Sequence, residues 1–236
     1  MDEVNKEGIK LTVYHSIYME EYGTCIVADL HIGYEGFLQH EGVAMPKYQK
    51  NVIITRLEKI MEKYEPSKLI IDGDLKHEFG KNLRQEWREV EEILKFLCKR
   101  TEVIIVRGNH DNFLKTIAYR YNVPVVEEYR MGDVKIVHGD KMVKKEGKII
   151  MGHEHPSIGI RDKVGAMVKL PCYLVGNGIF VLPALSPLAT GTDVVRDEKF
   201  LSPILREENI DEFEVYAINH DEILYFSRIK DLKKVM

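Results

Sequence analysis

Residues 101–111 read TEVIIVRGNHD. Val103 to Val106 is an apolar, β-branched run, which predicts a buried strand. It stops at Gly108-Asn109-His110-Asp111, residues that turn, accept hydrogen bonds or titrate. Such an ending places polar side chains at the C-terminal edge of a strand, where open α/β sheets hold their ligands. Four other places repeat the pattern of apolar strand followed by Asp or His: Asp29 with His31, Asp74 with His77, His138, and His153 with His155. The expectation is that five strand ends converge on one two-metal site.

The donor chemistry supports that expectation. In chain order the strand-end groups are Asp29, His31, Asp74, Asn109, His138, His153 and His155. Carboxylate, imidazole and amide oxygen suit first-row divalent metals such as Mn, Fe or Zn. No thiolate is offered, which argues against a closed structural zinc site. Seven groups exceed what one ion needs, and suffice for two if one carboxylate bridges. Asp29 and His31 are two residues apart, as are His153 and His155, so extended chain turns both members of each pair to one side. A single buried histidine is more often a satisfied core group than a ligand; the set carries the argument, not any member.

Composition narrows the class. The chain has 236 residues, enough for one large domain with a full core, and residues 1–236 are read as a single domain. No apolar run approaches the length of a membrane span. The N-terminal MDEVNKEGIK lacks the basic and apolar blocks of a signal peptide, so the expected compartment is the cytoplasm. Cys25, Cys98 and Cys172 are scattered and odd in number, which predicts reduced thiols. The net charge is −4, so any contact with nucleic acid must be local.

Along the chain, 9–19 alternates enough to be one strand, with His15 as a sheet-face residue. Thr24 to Ala28 is a buried strand leading into Asp29-Leu30-His31. Residues 32–46 hold three glycines and Pro46 and read as a loop, whose Tyr34, Phe37 and His40 either line a pocket or pack. Apolar groups at Ile53, Leu57, Ile60, Met61 and Tyr64 mark one face of a helix over 47–64. Lys68 to Ile71 is the next strand. Trp87, Val90, Leu94 and Leu97 mark a second helix over 83–98, with Trp87 as core. Alternating strands and helices build a parallel sheet. After a short helix near 112–121 the style changes to hairpins: Val123 to Tyr129 with Val134 to Val137, then strands at 148–151, 166–175 and 179–182. Asn177-Gly178 is a hairpin turn. Residues 186–212 are loop-like, with a helix near 198–207. A final hairpin pairs 213–218 with 223–229, and its Asn219-His220-Asp221 repeats the 109–111 tripeptide as an exposed turn.

The strings ADLHIG, DGDLKH, RGNHD, VHGD and GHEH, in this order, resemble the five motifs of the calcineurin-like metallophosphoesterases. The resemblance implies an α/β fold, α+β by some schemes: a four-layered core of two stacked mixed β-sheets flanked by helices. It implies one metal on Asp29, His31 and His155, a second on Asn109, His138 and His153, and Asp74 as the bridge. His110 becomes the catalytic histidine that binds no metal. His77, three residues after Asp74, resembles the nuclease subunit of the double-strand-break-repair complex and the ligase-associated phosphoesterase/endonuclease branch, and is expected to assist His110. His138 follows His110 by 28 positions, a compact spacing closer to the ligase-associated branch and without a separate capping domain. Asp72 and Asp111 are expected either to orient ligands or to be solvated.

The implied activity is two-metal phosphodiester hydrolysis, hydroxide attacking phosphorus, with DNA as substrate. Mn is the expected metal, with Fe, Zn, Ni or Mg as alternatives. A helicase or ligase is the expected partner, and no membrane. Lys76, Lys81, Arg84, Arg107, Lys141, Lys144, Lys145, Lys148 and Arg161 lie near the motifs, and either several of them meet a phosphate backbone from loops at the site rim or they are ordinary solvated cations. Two other classes compete: a small-molecule phosphodiesterase or phosphatase acting on nucleotides or cyclic nucleotides, and a catalytically silent metal-bound scaffold.

Overall fold

The computed structural model describes residues 1–77, 84–161, 165–197 and 199–235. The chain opens with a meander, β1 (Glu3–Lys6), β2 (Ile9–Thr12) and β3 (Ser16–Met19), and continues into β4 (Thr24–Ala28). Helices α1 (Tyr34–His40) and α2 (Gln49–Tyr64) lead to β5 (Lys68–Asp72), α3 (Arg84–Leu97) to β6 (Glu102–Val106), and α4 (Leu114–Arg120) to β7 (Val125–Val126). These seven strands form the first sheet in the order β1 to β7, antiparallel up to β4 and parallel from there.

The second sheet begins with β8 (Tyr129–Met131) and β9 (Val134–Ile136). It continues with β10 (Lys148–Met151), β11 (Ser157–Arg161), β12 (Met167–Gly176) and β13 (Ile179–Val181). After α5 (Pro203–Arg206) it is completed by β14 (Glu214–Asn219) and β15 (Glu222–Arg228), and α6 (Ile229–Leu232) follows. The strand order is β15-β14-β12-β13-β10-β9-β8, with β11 on β12. It is mixed, with β9, β10 and β13 parallel to one another.

Strand periodicity builds the layers. In β4, β5 and β6, Val27, Ile71 and Ile105 join the cluster under α2, α3 and α4, which includes Ile53, Leu57, Val90, Leu94 and Ile117. Their neighbours Ile26, Ile70 and Ile104 face the other way and pack with Ile136, Ile150, Tyr173 and Phe180 of the second sheet. That sheet's outer face, with Ile149, Met151 and Val181, is covered by Leu205 and Leu232. A period of two with both faces apolar means both faces are covered. The result is the expected four layers, helices, sheet, sheet, helices. Trp87 packs against the helical cluster, as expected of a core residue.

Several expectations are corrected. Residues 9–19 are two strands, β2 and β3, with a turn at 13–15 where His15 takes φ +56°, so His15 is a turn residue. The glycine-rich stretch contains α1. Its Glu35 is buried and accepts hydrogen bonds from the Tyr48 and Gln49 amides at 2.5 Å, satisfying donors at the start of α2. Val123 to Tyr129 is divided: Val125 and Val126 pair with β6, while Tyr129 to Met131 begins the second sheet. The charged Glu127-Glu128 pair lies at the crossing. The helix expected near 198–207 is shorter, Pro203–Arg206, and β11 and α6 carried no recognised signal.

Candidate metal centre

The parallel strands of the first sheet end at Ala28, Asp72 and Val106, and the second-sheet segments carrying histidines end at Ile136 and Met151. The loops that follow are tied across the sheets. Ala28 and Ala184 form a bridge, and the Leu185 and Ser186 amides donate to the carbonyls of Ala28 (2.8 Å) and Asp29 (3.2 Å). The His31 amide donates to the Asp74 carbonyl at 2.8 Å. Gln49, buried at the start of α2, donates to the His31 carbonyl at 2.8 Å and to Ser186 Oγ at 2.9 Å.

All seven strand-end donors meet. His31 Nε2 is 3.2 Å from His155 Nε2, and His155 Nε2 is 3.4 Å from Asp29 Oδ2. Across the cavity, His138 Nε2 is 3.0 Å from Asn109 Oδ1 and 3.4 Å from Asp74 Oδ2. His153 joins Asp74 and His138 with donor atoms all within 4.8 Å. Asp74 Oδ2 is also 3.9 Å from His31 Nε2, so one carboxylate faces both groups. His31, His77 and His110 form a third set of donor atoms within 4.8 Å.

The paired donors are neighbours as expected, but not through extended chain. Asp29, His31, Asp74, His153 and His155 all have positive φ, between 38° and 64°. They are not extended strand; each sits in the left-handed region, which non-glycine residues seldom occupy. Such strain persists only where the surroundings over-determine it, and it clusters at functional sites. Three glycines leave room for the donors. A Cβ on Gly73 would lie 1.9 Å from His138 Nδ1, on Gly108 2.1 Å from Asp74 Oδ1, and on Gly152 2.6 Å from Asp29 Oδ2.

The buried carboxylates and imidazoles shift one another strongly. Burial pushes the Asp29 carboxyl up, but the imidazoles of His155 and His138 outweigh it, and the group stays below its usual range. Asp74 is held down in the same way, chiefly by His138. Burial lowers His138, yet Asp74, Asp29 and Asp72 drive it up to about 10. Burial and His155 press His31 down to about 3. Asp72 is fully buried, not solvated, and burial drives its carboxyl well above the ordinary value. Asp111 ties the turns together, accepting from the amides of Gly108 (2.9 Å) and Lys76 (3.4 Å), and burial with Asp74 nearby raises it to about 6.

These residues fit divalent cations. Asp29 Oδ1, His31 Nδ1, His138 Nδ1 and both Asp72 oxygens are buried and find no hydrogen-bond partner among the described residues. Buried polar atoms left so are costly, and their clustering calls for an ion or bridging groups. Donors bound to one first-row ion at about 2.0–2.2 Å lie roughly 3–3.5 Å apart. The separations of 3.2 and 3.4 Å on one side and 3.0 and 3.4 Å on the other match that spacing.

His110 and His77 stand beside the donors. The His110 amide donates to Asp74 Oδ1 at 2.9 Å, and its Nδ1 lies 2.6 Å from the His77 carbonyl. The His77 ring stacks on Tyr34 at 3.8 Å, with Phe37 edge-on at 5.2 Å. Tyr34 and Phe37 therefore shape the site, whereas His40 is exposed at the helix end. One residue the motifs hid is Glu154, between the two histidines. It is fully buried and accepts from Thr192 Oγ1 and the Leu201 and Ser202 amides, fixing the loop that carries His153 and His155. A charged residue flanked by two donors was the available signal.

The expected rim cations fare less well. Lys76 is buried, its Nζ 3.8 Å from Glu86. Arg107 pairs with Glu127, Lys141 with Glu127 and Asp140, Lys144 with Glu146, Lys145 with Glu208, and Lys148 with Glu7. Arg161 is exposed on β11. Lys81 and the side chain of Arg84 lie outside the described residues. Asn219-His220-Asp221 is the exposed β14–β15 turn, as expected.

Residues 24–183 match the model of the calcineurin-like phosphoesterases. Among solved structures, the chain is similar to nuclease MPE of Pseudomonas putida, with TM-score 0.71 at 20% identity over 95% of this chain and 98% of that one. It is also similar to the phosphoesterase YfcE of E. coli, with TM-score 0.45 at 17% identity over 85% of this chain and 96% of that one. No curated protein sequence matches it. The motif order, the four-layered fold and a family match spanning most of the chain agree: the chain belongs to the calcineurin-like phosphoesterase family and is a metal-dependent hydrolase of phosphoester bonds.

Proposed function

We propose that the chain is a two-metal phosphodiesterase that cleaves DNA. The observation that carries this is Asp74, whose Oδ2 lies 3.9 Å from His31 and 3.4 Å from His138, so that one carboxylate is common to two donor groups. Asp29, His31 and His155 would hold one divalent cation and Asn109, His138 and His153 the other. Mn is the proposed metal, with Fe, Zn, Ni or Mg as alternatives, since carboxylate, amide and imidazole donors suit this range. Two such cations supply Lewis acidity to phosphate oxygens and bring the pKa of water from about 15.7 towards about 7.

The chain's own residues do the rest. Asp74 Oδ1 holds the His110 amide, and the His77 carbonyl accepts from His110 Nδ1–H. The tautomer is thereby set, and proton exchange runs through Nε2. His110 delivers a proton to the leaving alkoxide, worth about 10²–10⁴-fold. His77 is a positioning residue: its carbonyl aligns His110, and its ring is pinned by Tyr34 and Phe37. The likeness to nuclease MPE over nearly the whole of both chains supports the nuclease reading. Resemblance to the ligase-associated branch extends it to DNA repair in the cytoplasm, beside a ligase or helicase.

The test is a substrate panel with metal-stripped protein reloaded with Mn²⁺: single-stranded DNA, bis-nitrophenyl phosphate and mononucleotides. DNA and the synthetic diester should turn over only with metal. Release of phosphate from mononucleotides without DNA cleavage would overturn the proposal in favour of a small-molecule phosphatase.

A further inference from the structure

Two cavities share His15 and Arg56 in their linings. The first, about 280 Å³, starts at the metal-site residue His155 and is lined by His15, Arg56 and Lys169 among others. The second, about 370 Å³, has His15 and Arg56 on its near side, with Lys59, His220 and Asp221 farther out. His15 and Arg56 line both, so the two lie side by side between His155 and the β14–β15 turn. Each alone is at the small end of ligand pockets, so in sequence they suit an extended chain more than one compact molecule.

Arg56 lies at the junction. It is only partly exposed, and it has no carboxylate within ion-pair distance among the described residues. Its Nη1 donates to the Leu185 carbonyl at 2.5 Å, which orients the guanidinium and leaves its charge uncompensated. A partly buried cation without a counter-charge is costly unless an anion completes it. The planar guanidinium fork matches phosphate. The neighbouring His15 contributes no charge of its own: its Nδ1 lies 2.9 Å from the Ala184 carbonyl, and burial keeps the ring neutral. Lys169 donates to the Gly191 carbonyl at 3.3 Å, and Lys59 is exposed; neither has an ion-pair partner among the described residues. Asp221, at the far end, is the one acidic side chain among the described residues that line either cavity.

We propose that the two cavities form a track that carries a single nucleic-acid strand away from the metal centre, with Arg56 gripping a backbone phosphate neighbouring the scissile one and Lys169 and Lys59 flanking it. The inference rests on the nuclease reading and adds the location of the strand. It replaces the cations expected from sequence, most of which are in ion pairs, with three that are not.

The test is binding of a single-stranded phosphorothioate oligonucleotide, which keeps its backbone charge, to the metal-loaded protein, read by fluorescence anisotropy across a salt series. Each lost phosphate contact should flatten the salt slope by about 0.7. Arg56→Ala should weaken binding about tenfold or more and flatten the slope by about 0.7, with Arg56→Lys recovering most of both. If Arg56→Ala does not fold, the exposed pair Lys59→Ala and Lys169→Ala carries the test, with an expected slope change of about 1.4. Unchanged affinity and slope in whichever variants fold would overturn the track. A wild-type protein that shows this binding but cleaves no DNA would overturn the nuclease reading and leave the track standing.

Discussion

The two sheets contribute unlike chemistry to one cavity. The first sheet's strand ends bring carboxylates and an amide, Asp29, Asp74 and Asn109, with one imidazole, His31. The second sheet brings imidazoles alone, His138, His153 and His155. Carboxylate and imidazole donors therefore face each other across the seam between sheets. Neither sheet by itself presents the whole donor set, so a metal site built from these residues belongs to the seam. The largest effect should come from the residue that serves both sides. Asp74→Asn keeps the shape but removes the shared negative charge. It should abolish metal-dependent turnover, a loss at least as large as the ~10²–10³-fold cost of losing one preorganised electrostatic group. Its far-ultraviolet circular dichroism should match the wild type. Undiminished turnover would refute the bridge.

The next contrast lies within the first sheet, between His110 and His77. His110→Ala should slow cleavage of a natural diester by about 10²–10⁴-fold and nitrophenyl diester cleavage much less, because nitrophenolate leaves without a proton. Equal losses on both substrates would remove the acid role. His77→Ala preserves the carbonyl that accepts from His110 Nδ1, so its loss should be smaller than that of His110→Ala. A larger loss would make the His77 ring, not its backbone, the working part.

If the seam is held by cations, stripping them should loosen it. Metal at one hundred times its dissociation constant adds about 2.7 kcal/mol of stability. At roughly 2–4 °C per kcal/mol for a chain of this size, chelation should lower the melting temperature by about 5–10 °C. Asp29→Ala, in one donor group, and His153→Ala, in the other, should each erase about half of that difference. A melting curve indifferent to chelator would separate the donor set from metal binding.

The two sheets also differ in how far the sequence revealed them. β4, β5 and β6 are continuous β-branched runs alternating with striped helices, so strands, helices and parallel order were all legible. The second sheet is made of short strands whose partners lie far apart in sequence, and local pattern says little about such pairing. Hence Val123 to Tyr129 read as one strand although its two ends serve different sheets, and β11 passed unnoticed. The donor residues were legible because their types recur after apolar runs. Their left-handed backbone was not, since nothing in Asp or His announces a positive φ. Cations on motif loops drew attention by proximity in sequence, yet most of them sit in ion pairs. Arg56 was passed over because it lies on a helix between apolar stripe positions, and only the fold brings that face to the seam.

The smallest effect concerns a link between the sheets that needs no metal. His15, in the β2–β3 turn of the first sheet, donates from Nδ1 to the carbonyl of Ala184, which follows β13 in the second. Burial and the nearby Arg56 depress its pKa from 6.5 to about 3. The folded chain thus holds His15 neutral while the unfolded chain protonates it below pH 6.5. Its contribution is fully present above 6.5 and is lost as pH falls towards 3, at about 1.4 kcal/mol per unit. Asparagine tolerates the left-handed backbone at this position and does not titrate. Between pH 7 and pH 5 the wild-type protein should therefore lose up to about 2 kcal/mol more stability than His15→Asn in urea titrations. Parallel losses in the two proteins would show that this histidine is as free to take a proton in the fold as out of it, and that the seam near Ala184 is open to water.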